Sequence, residues 1–364
     1  GLQSGTLEHC TTAPLGVANK RTTTMSAKGR SVLVTGSAGF IGYHLSKELL
    51  AAGFEVVGFD AMTDYYDVAL KQRRHQMLLQ NEGFRAVEGR LEDMKALTET
   101  FTRAEPDIVI HLAAQAGVRY SLENPRSYVE TNILGTFNLL ECAKDIAPSH
   151  LLMASTSSVY GANPDMPFAE THPTDAPLTI YAATKKSNEN MAHAYAHLWG
   201  IPVTMFRFFT VYGPFGRPDL AFYKFVKAAL EGTPIDVYNH GQMTRDFTYV
   251  GDLVKAVRLL IDVPPLPVDD RPAPIAGDTL SAVAPHRVVN IGNGEKVPLM
   301  DFIAEIERAV GVPIEKNFMD MQMGDVPGTW ANSDLLEALT GYRPDTPISD
   351  GMDQFVAWYR DYYT

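Results

Sequence analysis

Residues 31–42 read Ser-Val-Leu-Val-Thr-Gly-Ser-Ala-Gly-Phe-Ile-Gly, a short apolar run that passes into three spaced glycines. Gly36 permits a tight turn, Gly39 lets a pyrophosphate approach the backbone, and Gly42 lets the following helix pack closely on the strand. The start of that helix directs free N–H groups toward the phosphates. The stretch therefore predicts a strand, a nucleotide-binding turn and a helix, which together open a Rossmann-type sheet.

An acidic residue ends the second apolar run. Residues 55–59 have the composition of a strand, and Asp60 follows them directly. A carboxylate about 20 residues after the glycines binds the adenosine ribose diol and repels a 2′-phosphate. Because no Arg or Lys follows in residues 61–64, the sequence favours NAD over NADP as the cofactor.

Strand and helix patterns alternate along the chain from Arg30 onward. Strands are predicted at 31–35, 55–59, 107–112, 150–154 and 203–207, and helices at about 40–52, 65–81, 93–104, 123–146 and 180–199. This alternation predicts an α/β fold, a doubly wound parallel sheet with helices on both faces. After residue 210 the alternation is irregular, which indicates a smaller α/β C-terminal substrate domain.

The composition shifts along the chain suggest domain boundaries. We expect a flexible N-terminal tail over 1–29, a Rossmann domain over 30–209 with 246–262 and 287–292 returning to it, a substrate domain over 210–245 and 293–364, and a mobile Pro-rich loop over 263–286.

The overall composition excludes several classes of protein. The 364 residues carry a net charge of −12, which argues against nucleic acid as the main partner. No apolar run approaches the ~18 residues of a membrane helix, so no membrane partner is expected. The two cysteines, Cys10 and Cys142, form neither a disulfide framework nor a metal-ligand pattern. We therefore expect no metal and a cytoplasmic location.

Two further patterns carry candidate chemistry. Tyr181 and Lys185 are spaced i, i+4 at the start of a predicted helix, so both lie on one face. An adjacent ammonium lowers the pKa of a phenol, so a larger fraction is present as the phenolate, the form that can accept a proton. Residues 155–158 read Ser-Thr-Ser-Ser directly after an apolar run. By itself this run of hydroxyls is also typical of a polar turn that caps the next element.

Together these motifs resemble the extended short-chain dehydrogenase/reductase family. The resemblance includes Leu112-Ala113-Ala114 and Asn132, continues through 207–214 and 245–250, and covers about residues 30–364. It implies an enzyme that holds NAD in the larger domain and the nucleoside diphosphate of a sugar nucleotide in the smaller one. It also implies a homodimer formed through the helices near 123–146 and 180–199.

The resemblance implies a set of NAD contacts. They are Gly36, Gly39, Phe40, Ile41, Gly42, Asp60, Leu91, Asp93, Leu112, Ala113, Ala114, Asn132, Ser155, Tyr181 and Lys185. Arg90 is a departure, because the family has Asp there to accept a hydrogen bond from the adenine amino group. We expect Arg90 to stack on the ring instead.

The hydroxyl run separates subfamilies. Sugar dehydratases carry Asp-Glu at the positions of Ser157 and Ser158, and UDP-glucuronate decarboxylases carry a Glu at the second of them. Two small hydroxyls suit a carboxylate instead. Thr210 stands where the family commonly has Asn. With residues 115–121 and 234–241, these positions resemble the UDP-glucuronate 4-epimerases.

That resemblance implies reversible C4 epimerisation of UDP-glucuronate to UDP-galacturonate, by transient oxidation at C4 with bound NAD. The implied catalytic residues are Thr156, Tyr181 and Lys185, and the implied substrate contacts are Thr156, Ser157, Ser158, Thr210, Arg119, Arg217, Val237, Tyr238, Arg245 and Asp325.

Among the substrate contacts, the resemblance assigns Arg217 and Arg245 to the diphosphate. It assigns Val237 and Tyr238 to the uracil, and Asp325 to the uridine ribose. Arg119 is left with two alternatives, the uronate carboxylate or a helix end. Three alternative functions also stay open: a UDP-glucuronate decarboxylase, another UDP-hexose 4-epimerase, and a catalytically inactive NAD-binding regulatory protein.

Overall fold

One parallel sheet of seven strands organises the molecule, with helices on both of its faces. The computed structural model describes residues 29–271, 273 and 275–363. The predicted tail over 1–29 lies outside the described residues except for Gly29.

The strands of the described chain are β1 (Ser31–Thr35), β2 (Glu55–Asp60), β3 (Phe84–Glu88), β4 (Ile108–His111), β5 (His150–Ala154), β6 (Val203–Phe208), β7 (Thr210–Tyr212), β8 (Ile235–Val237), β9 (Thr244–Arg245), β10 (Phe247–Tyr249), β11 (His286–Ile291), β12 (Val297–Pro298), β13 (Lys316–Phe318) and β14 (Gly328–Thr329). The α-helices are α1 (Phe40–Ala51), α2 (Val68–Leu79), α3 (Met94–Ala104), α4 (Tyr120–Glu123), α5 (Pro125–Tyr128), α6 (Thr136–Ile146), α7 (Ile180–Trp199), α8 (Ala221–Glu231), α9 (Val250–Leu260), α10 (Leu299–Val310), α11 (Asp334–Thr340) and α12 (Ile348–Tyr363).

The order of the strands creates a binding crevice. The seven-stranded sheet runs β11-β6-β5-β4-β1-β2-β3, and every pairing in it is parallel. The chain order reverses beside β1, and ligands of such sheets bind at the carboxyl ends of the strands next to this point. The predicted doubly wound parallel sheet is therefore confirmed, and the glycine-rich turn after β1 lies at the crevice.

Most predicted elements are observed, but two strands of the main sheet, β3 and β11, were not among the predicted strands. The five predicted helices correspond to α1, α2, α3, the helical stretch from α5 to α6, and α7, with the π-helical turn Val129–Gly135 between α5 and α6. The prediction overlooked β3, whose sequence Phe-Arg-Ala-Val-Glu is only partly apolar. It lies at the sheet edge, where one fully buried residue is enough.

Alternation along the strands builds two cores. Val32 and Val34 point to the face covered by α1 and α9, while Leu33 points to the opposite face with α3, α6 and α7. All three side chains are fully buried, because successive side chains of a strand point to opposite faces. Each such burial stabilises the fold by roughly 1.5–3 kcal/mol.

The helix that carries the candidate catalytic pair has defined ends. The side chain of Thr179 accepts a hydrogen bond from the N–H of Ala182 (3.2 Å) at the start of α7. Gly200, with a φ of 66°, ends the helix in the left-handed conformation. The N-terminal cap stabilises the helix by about 1 kcal/mol and fixes its first turn, in which Tyr181 lies.

A smaller layer forms around a third apolar cluster beyond the main sheet. Side chains of α8, α10 and α12 meet there, with Phe247 stacked on Phe302 at a ring-centroid distance of 3.7 Å. Most of this cluster comes from the segments predicted for the substrate domain, whereas Phe247 belongs to the segment 246–262 predicted to return to the Rossmann domain. The exact domain boundaries stay a prediction.

The predicted mobile loop, 263–286, contains two undescribed residues, Pro272 and Pro274. In its described part, Arg271 donates hydrogen bonds to the backbone carbonyls of Leu266, Ser281 and Ala284. These bonds hold parts of the segment together, and its mobility stays a prediction. None of the helices in the described part of the chain combines the length and the apolar character required to cross a membrane.

Candidate active site

A cleft of about 1040 Å³ lies between the carboxyl ends of the central strands and the smaller layer. Small-molecule sites typically occupy roughly 300–1,000 Å³. The cleft is therefore large enough for a dinucleotide and a second nucleotide ligand together. Among the residues that the structure describes, no group of three or more His, Cys, Asp or Glu side chains is placed to hold a metal ion.

The glycine-rich turn is too tight for any side chain. A Cβ atom on Gly42 would lie 2.0 Å from the carbonyl oxygen of Gly36, and one on Gly36 would lie 2.8 Å from the backbone nitrogen of Ala113. Gly36 also has a φ of 76°. Gly39, Phe40 and the following Ile41 line the cleft at the start of α1. This cradle fits a pyrophosphate held against backbone N–H groups.

Asp60 ends β2 at the edge of the cleft. Its two carboxylate oxygens accept hydrogen bonds from the N–H groups of Ala38 and Met62, both at 2.9 Å. Lys71 of α2 also lines the cleft, although it was not predicted as a site residue. Its Nζ donates to the carbonyl and the hydroxyl of Thr63 at 2.6 and 2.8 Å.

Removing the carboxylate tests the assignment of Asp60. Asp60→Ala should weaken NAD binding by about 10-fold or more, because each lost hydrogen bond to a charged group costs about 1.5–3 kcal/mol. It should also narrow the preference for NAD over NADP. Calorimetric titration with both dinucleotides measures this, and Asp64→Ala is the control because Asp64 is exposed on the same loop. Wild-type protein that prefers NADP would contradict the assignment.

The remaining predicted cofactor residues divide into two groups. Leu91, Leu112, Ala113 and Ala114 line the cleft, as does Arg90. The side chain of Arg90 is exposed and lies 3.5 Å from Glu92. It is positioned beside the predicted adenine site, and its stacking on the ring stays a prediction.

The other two, Asp93 and Asn132, do not line the cleft with their side chains. The carboxylate of Asp93 accepts a hydrogen bond from the N–H of Ala96 (3.1 Å) and caps α3. The buried amide of Asn132 bonds to both the N–H and the carbonyl of Gln115. It thereby holds the loop after β4 that forms the cleft wall.

The candidate catalytic pair lies in the cleft, at the start of α7. Tyr181 and Lys185 both line it, one turn apart on α7. Burial raises the pKa of Tyr181, and a hydrogen bond with Thr156 opposes that rise. Burial lowers the pKa of Lys185 to about 8, against an opposing effect of Glu189. An ammonium with a pKa near 8 is still mostly charged at neutral pH.

The hydroxyl run both caps a turn and lines the cleft. Thr156 accepts a hydrogen bond from the N–H of Ser158 (3.2 Å) and begins the short 3₁₀ helix Ser157–Tyr160. The side chains of Ser157 and Ser158 line the cleft, and Thr210 lines it from β7. The run can therefore serve both as a turn cap and as part of a binding site, because the hydroxyl of Thr156 alone supplies the side-chain cap.

Ser155 is oriented by a buried ion pair that the sequence analysis did not find. Its hydroxyl donates to Glu189 at 2.6 Å, and Arg207 binds both oxygens of that carboxylate at 2.9 Å. Burial raises the pKa of Glu189, but Arg207 and Ser155 outweigh it and hold the pKa at about 2. The i, i+4 spacing from Lys185 was the available signal for this residue.

Arg217 also lines the cleft and is held by an acid two residues away. Its Nε donates to Asp219 at 3.0 Å, and Tyr65 donates its hydroxyl to the same carboxylate at 3.2 Å. Asp219 and Tyr65 both line the cleft, and neither was predicted.

A second cluster of charges in the cleft joins the loop after β4 to the smaller layer. Arg119 pairs with Asp325 at 3.1 Å and lies 4.6 Å above the ring of Tyr238. Neither alternative foreseen for Arg119 included this contact. Burial lowers the pKa of Arg245, with Asp325 opposing and Arg119 reinforcing the shift. All four residues line the cleft.

Val237 does not belong to this group. Its side chain is fully buried in the apolar cluster of the smaller layer, and it does not line the cleft. The expectation that it would contact a base is therefore wrong for the side chain, because β8 turns it into the core.

A glycine-rich turn and an acidic strand end that face one cleft at the switch point define a dinucleotide-binding protein. The chain matches the NAD dependent epimerase/dehydratase family over residues 32–267, and it belongs to that family.

Named relatives and solved structures are similar over nearly the whole described chain. A protein of Rhizobium meliloti (strain 1021) named "Probable UDP-glucuronate 4-epimerase" is 57% identical, covering 91% of this chain and 97% of its own. UDP-glucuronate 4-epimerase 4 of Arabidopsis thaliana is 44% identical over 94% of this chain and 78% of its own. The UDP-glucuronic acid 4-epimerase of Bacillus cereus, solved with UDP-glucuronic acid and NAD, is 33% identical with a TM-score of 0.81. It matches 92% of this chain and 100% of its own.

Proposed function

We propose that this protein is a UDP-glucuronate 4-epimerase that works with bound NAD. The observation that carries the proposal is the set of side chains around the catalytic pair. Tyr181 and Lys185 share the cleft with Ser157, Ser158 and Thr210, all of which present hydroxyls. The similarity to named UDP-glucuronate 4-epimerases, up to 57% identity, supports the same substrate.

The catalytic roles follow from charge and geometry. Bound NAD supplies a hydride acceptor, and later a donor, for C4 of the sugar. Tyr181 takes the proton of the 4-hydroxyl, and Thr156, which lines the same cleft, also binds that hydroxyl. The ammonium of Lys185 favours the phenolate through its charge and offers donors to a ribose diol. Glu189 keeps that ammonium charged by raising its pKa.

The hydroxyl run favours epimerisation at C4 over elimination of water from the neighbouring sugar carbons. Elimination of water needs a general acid and base beside C5 and C6. Here the positions next to Thr156 are Ser157 and Ser158, which neither donate nor accept a full proton near neutral pH. They can hold a uronate carboxylate with hydrogen bonds of the charge-assisted kind.

Product analysis tests this function directly. Purified enzyme is incubated with UDP-glucuronate, and the nucleotide sugars are separated by chromatography. The expected product is UDP-galacturonate, with the reverse reaction seen from that sugar. Formation of a UDP-pentose with release of CO₂ would identify a decarboxylase instead. Binding of NAD without turnover would favour an inactive regulatory protein.

We also propose that the enzyme is a homodimer, which one exposed apolar surface supports. The helical stretch from α4 to α6 exposes Leu122, Val129 and Phe137 by 43–48%. The adjoining α7 exposes Leu198 and Trp199 at its end. Association of two copies through these helices would cover this surface.

Light scattering tests the dimer. We expect a mass of twice 40.1 kDa for the wild type, and monomers for Phe137→Glu, because a buried unpaired carboxylate disfavours the interface. Leu79→Glu is the control, since Leu79 is an exposed apolar residue of α2. A monomeric wild type would contradict the proposal.

The free, buried thiol of Cys142 supports our further proposal of a cytoplasmic location.

A further inference from the structure

Arg74 is a fully buried arginine whose hydrogen-bond acceptors, among the described residues, include no carboxylate. Its Nη1 donates to the carbonyl of Ala38 at 3.0 Å and to the hydroxyl of Tyr66 at 2.8 Å. Its Nη2 donates to the carbonyls of Phe215 and Gly216 at 2.6 and 3.2 Å. One guanidinium thus joins two distant segments of the chain.

Both segments belong to the cleft. Ala38 lies inside the glycine-rich turn, between Gly36 and Gly39, while Phe215 and Gly216 immediately precede Arg217. Burying an arginine that no carboxylate neutralises is costly unless its donors are satisfied. Three backbone carbonyls and the Tyr66 hydroxyl accept hydrogen bonds from the two Nη atoms, while Nε has no hydrogen-bond partner among the described residues. Three carbonyls can reach one guanidinium only where the chain approaches it in a fixed arrangement.

The loop before Arg217 needs such external support. Phe215 has a φ of 55°, which is unfavourable for a residue with a side chain. His44 of α1 also holds this loop, because its Nε2 lies 2.8 Å from the carbonyl of Pro214. Burial lowers the pKa of His44 to about 4, so the ring is neutral and donates through Nε2. Three consecutive carbonyls are thus held by α1 and α2.

We propose that Arg74 is a positioning residue for the diphosphate of the sugar nucleotide. It holds the loop of residues 214–216 against the cofactor turn, and this fixes where the guanidinium of Arg217 points. Asp219 accepts hydrogen bonds from Nε and Nη2 of Arg217. The N–H groups of Arg217 that remain free for the diphosphate therefore face it only if the backbone of this loop is held in place. The inference rests on the proposed function, since it takes Arg217 as a diphosphate ligand.

A double-mutant cycle on UDP binding tests the coupling. UDP is titrated calorimetrically into NAD-loaded wild type, Arg74→Lys, Arg217→Lys and the double variant. Lysine keeps the charge but cannot fork to several carbonyls. Arg74→Lys alone should weaken UDP binding by about 10-fold, with the sugar KM rising and kcat changing less than ~3-fold. Arg73→Lys, at an exposed neighbouring position, should match the wild type.

The decisive result is the double variant. If Arg74 acts through Arg217, the double variant should bind UDP about as weakly as Arg217→Lys alone, because removing the ligand leaves nothing to position. Additive losses, or unchanged UDP binding in Arg74→Lys, would overturn the inference. Wild type that does not bind UDP would overturn the proposed function instead.

A second pair of variants covers the case in which Arg74→Lys does not fold. His44→Leu removes the bond to Pro214, whereas His44→Gln keeps an N–H donor at a similar reach. The inference predicts weaker UDP binding in the first and recovery in the second, both with normal NAD content. Equal UDP binding in the two variants, at the wild-type level, would contradict the role of the loop.

Discussion

Tyr181→Phe should lower the rate of epimerisation by roughly 10³-fold or more, because the variant has no group that can take the proton of the sugar hydroxyl. Binding of NAD and of UDP-glucuronate should persist, since the ring and its packing remain. The measurements are kcat from product formation and the dissociation constants of both ligands.

A second tyrosine of the same helix provides the control for this experiment. Tyr195 lies on α7 outside the cleft and donates its hydroxyl to Glu141 at 2.5 Å. Tyr195→Phe removes a hydroxyl from the same helix without touching the cleft, so kcat should be unchanged. Turnover near the wild-type level in Tyr181→Phe would show that another group is the base.

The sequence was sufficient for the features that local patterns encode. The glycine spacing of residues 36–42 predicts its turn because no side chain fits there, and the observed Cβ contacts are the same constraint seen in space. The i, i+4 spacing of Tyr181 and Lys185 likewise fixes a shared helix face. Each of these depends on residues close together in the chain.

The features that were missed depend on contacts between distant segments. Arg74 has the sequence surroundings of a surface arginine, and only the packing of α2 against two loops buries it. Lys71 reaches the cofactor end of the cleft for the same reason. Val237 shows the opposite error, because a match to a motif does not say which way a short strand turns its side chains.

The ion pairs that line the cleft could not be predicted from the sequence either. The pairing of Arg119 with Asp325, and of Arg217 with Asp219, leaves the cleft lined by two partly neutralised arginines. Such pairs keep the cations oriented before the ligand binds, and a diphosphate then competes with carboxylates for them. The predicted arginines line one cleft, their ligand contacts stay a prediction, and their carboxylate partners could not be foreseen from the sequence.

The hydroxyls of Ser157, Ser158 and Thr210 should control what becomes of the sugar after oxidation. The 4-keto uronate is a β-keto acid, which loses CO₂ when its C5–C6 bond aligns with the ketone π system. Hydroxyls that hold the carboxylate keep this bond out of alignment. Removing them should therefore raise the ratio of CO₂ to epimer, with UDP-4-keto-pentose and enzyme-bound NADH accumulating.

Affinity should change together with the product ratio. Each lost hydrogen bond to the carboxylate should weaken binding of UDP-glucuronate by about 1.5–3 kcal/mol, so the triple variant should lose more than any single one. UDP-glucose, which has no carboxylate, should bind almost as before. Ser187→Ala is the control, because the hydroxyl of Ser187 bonds to a carbonyl within α7.

A purely structural role for the run predicts a different outcome. If these hydroxyls only cap a turn, Ser157→Ala, Ser158→Ala and Thr210→Val should lower stability and weaken both sugars equally. The structure disfavours this, because the side-chain cap comes from Thr156, which accepts from the backbone N–H of Ser158. That N–H survives in Ser158→Ala, so the cap should survive as well. An unchanged CO₂-to-epimer ratio in all three variants, with the uronate preference intact, would show that only Thr156 in this run serves the reaction.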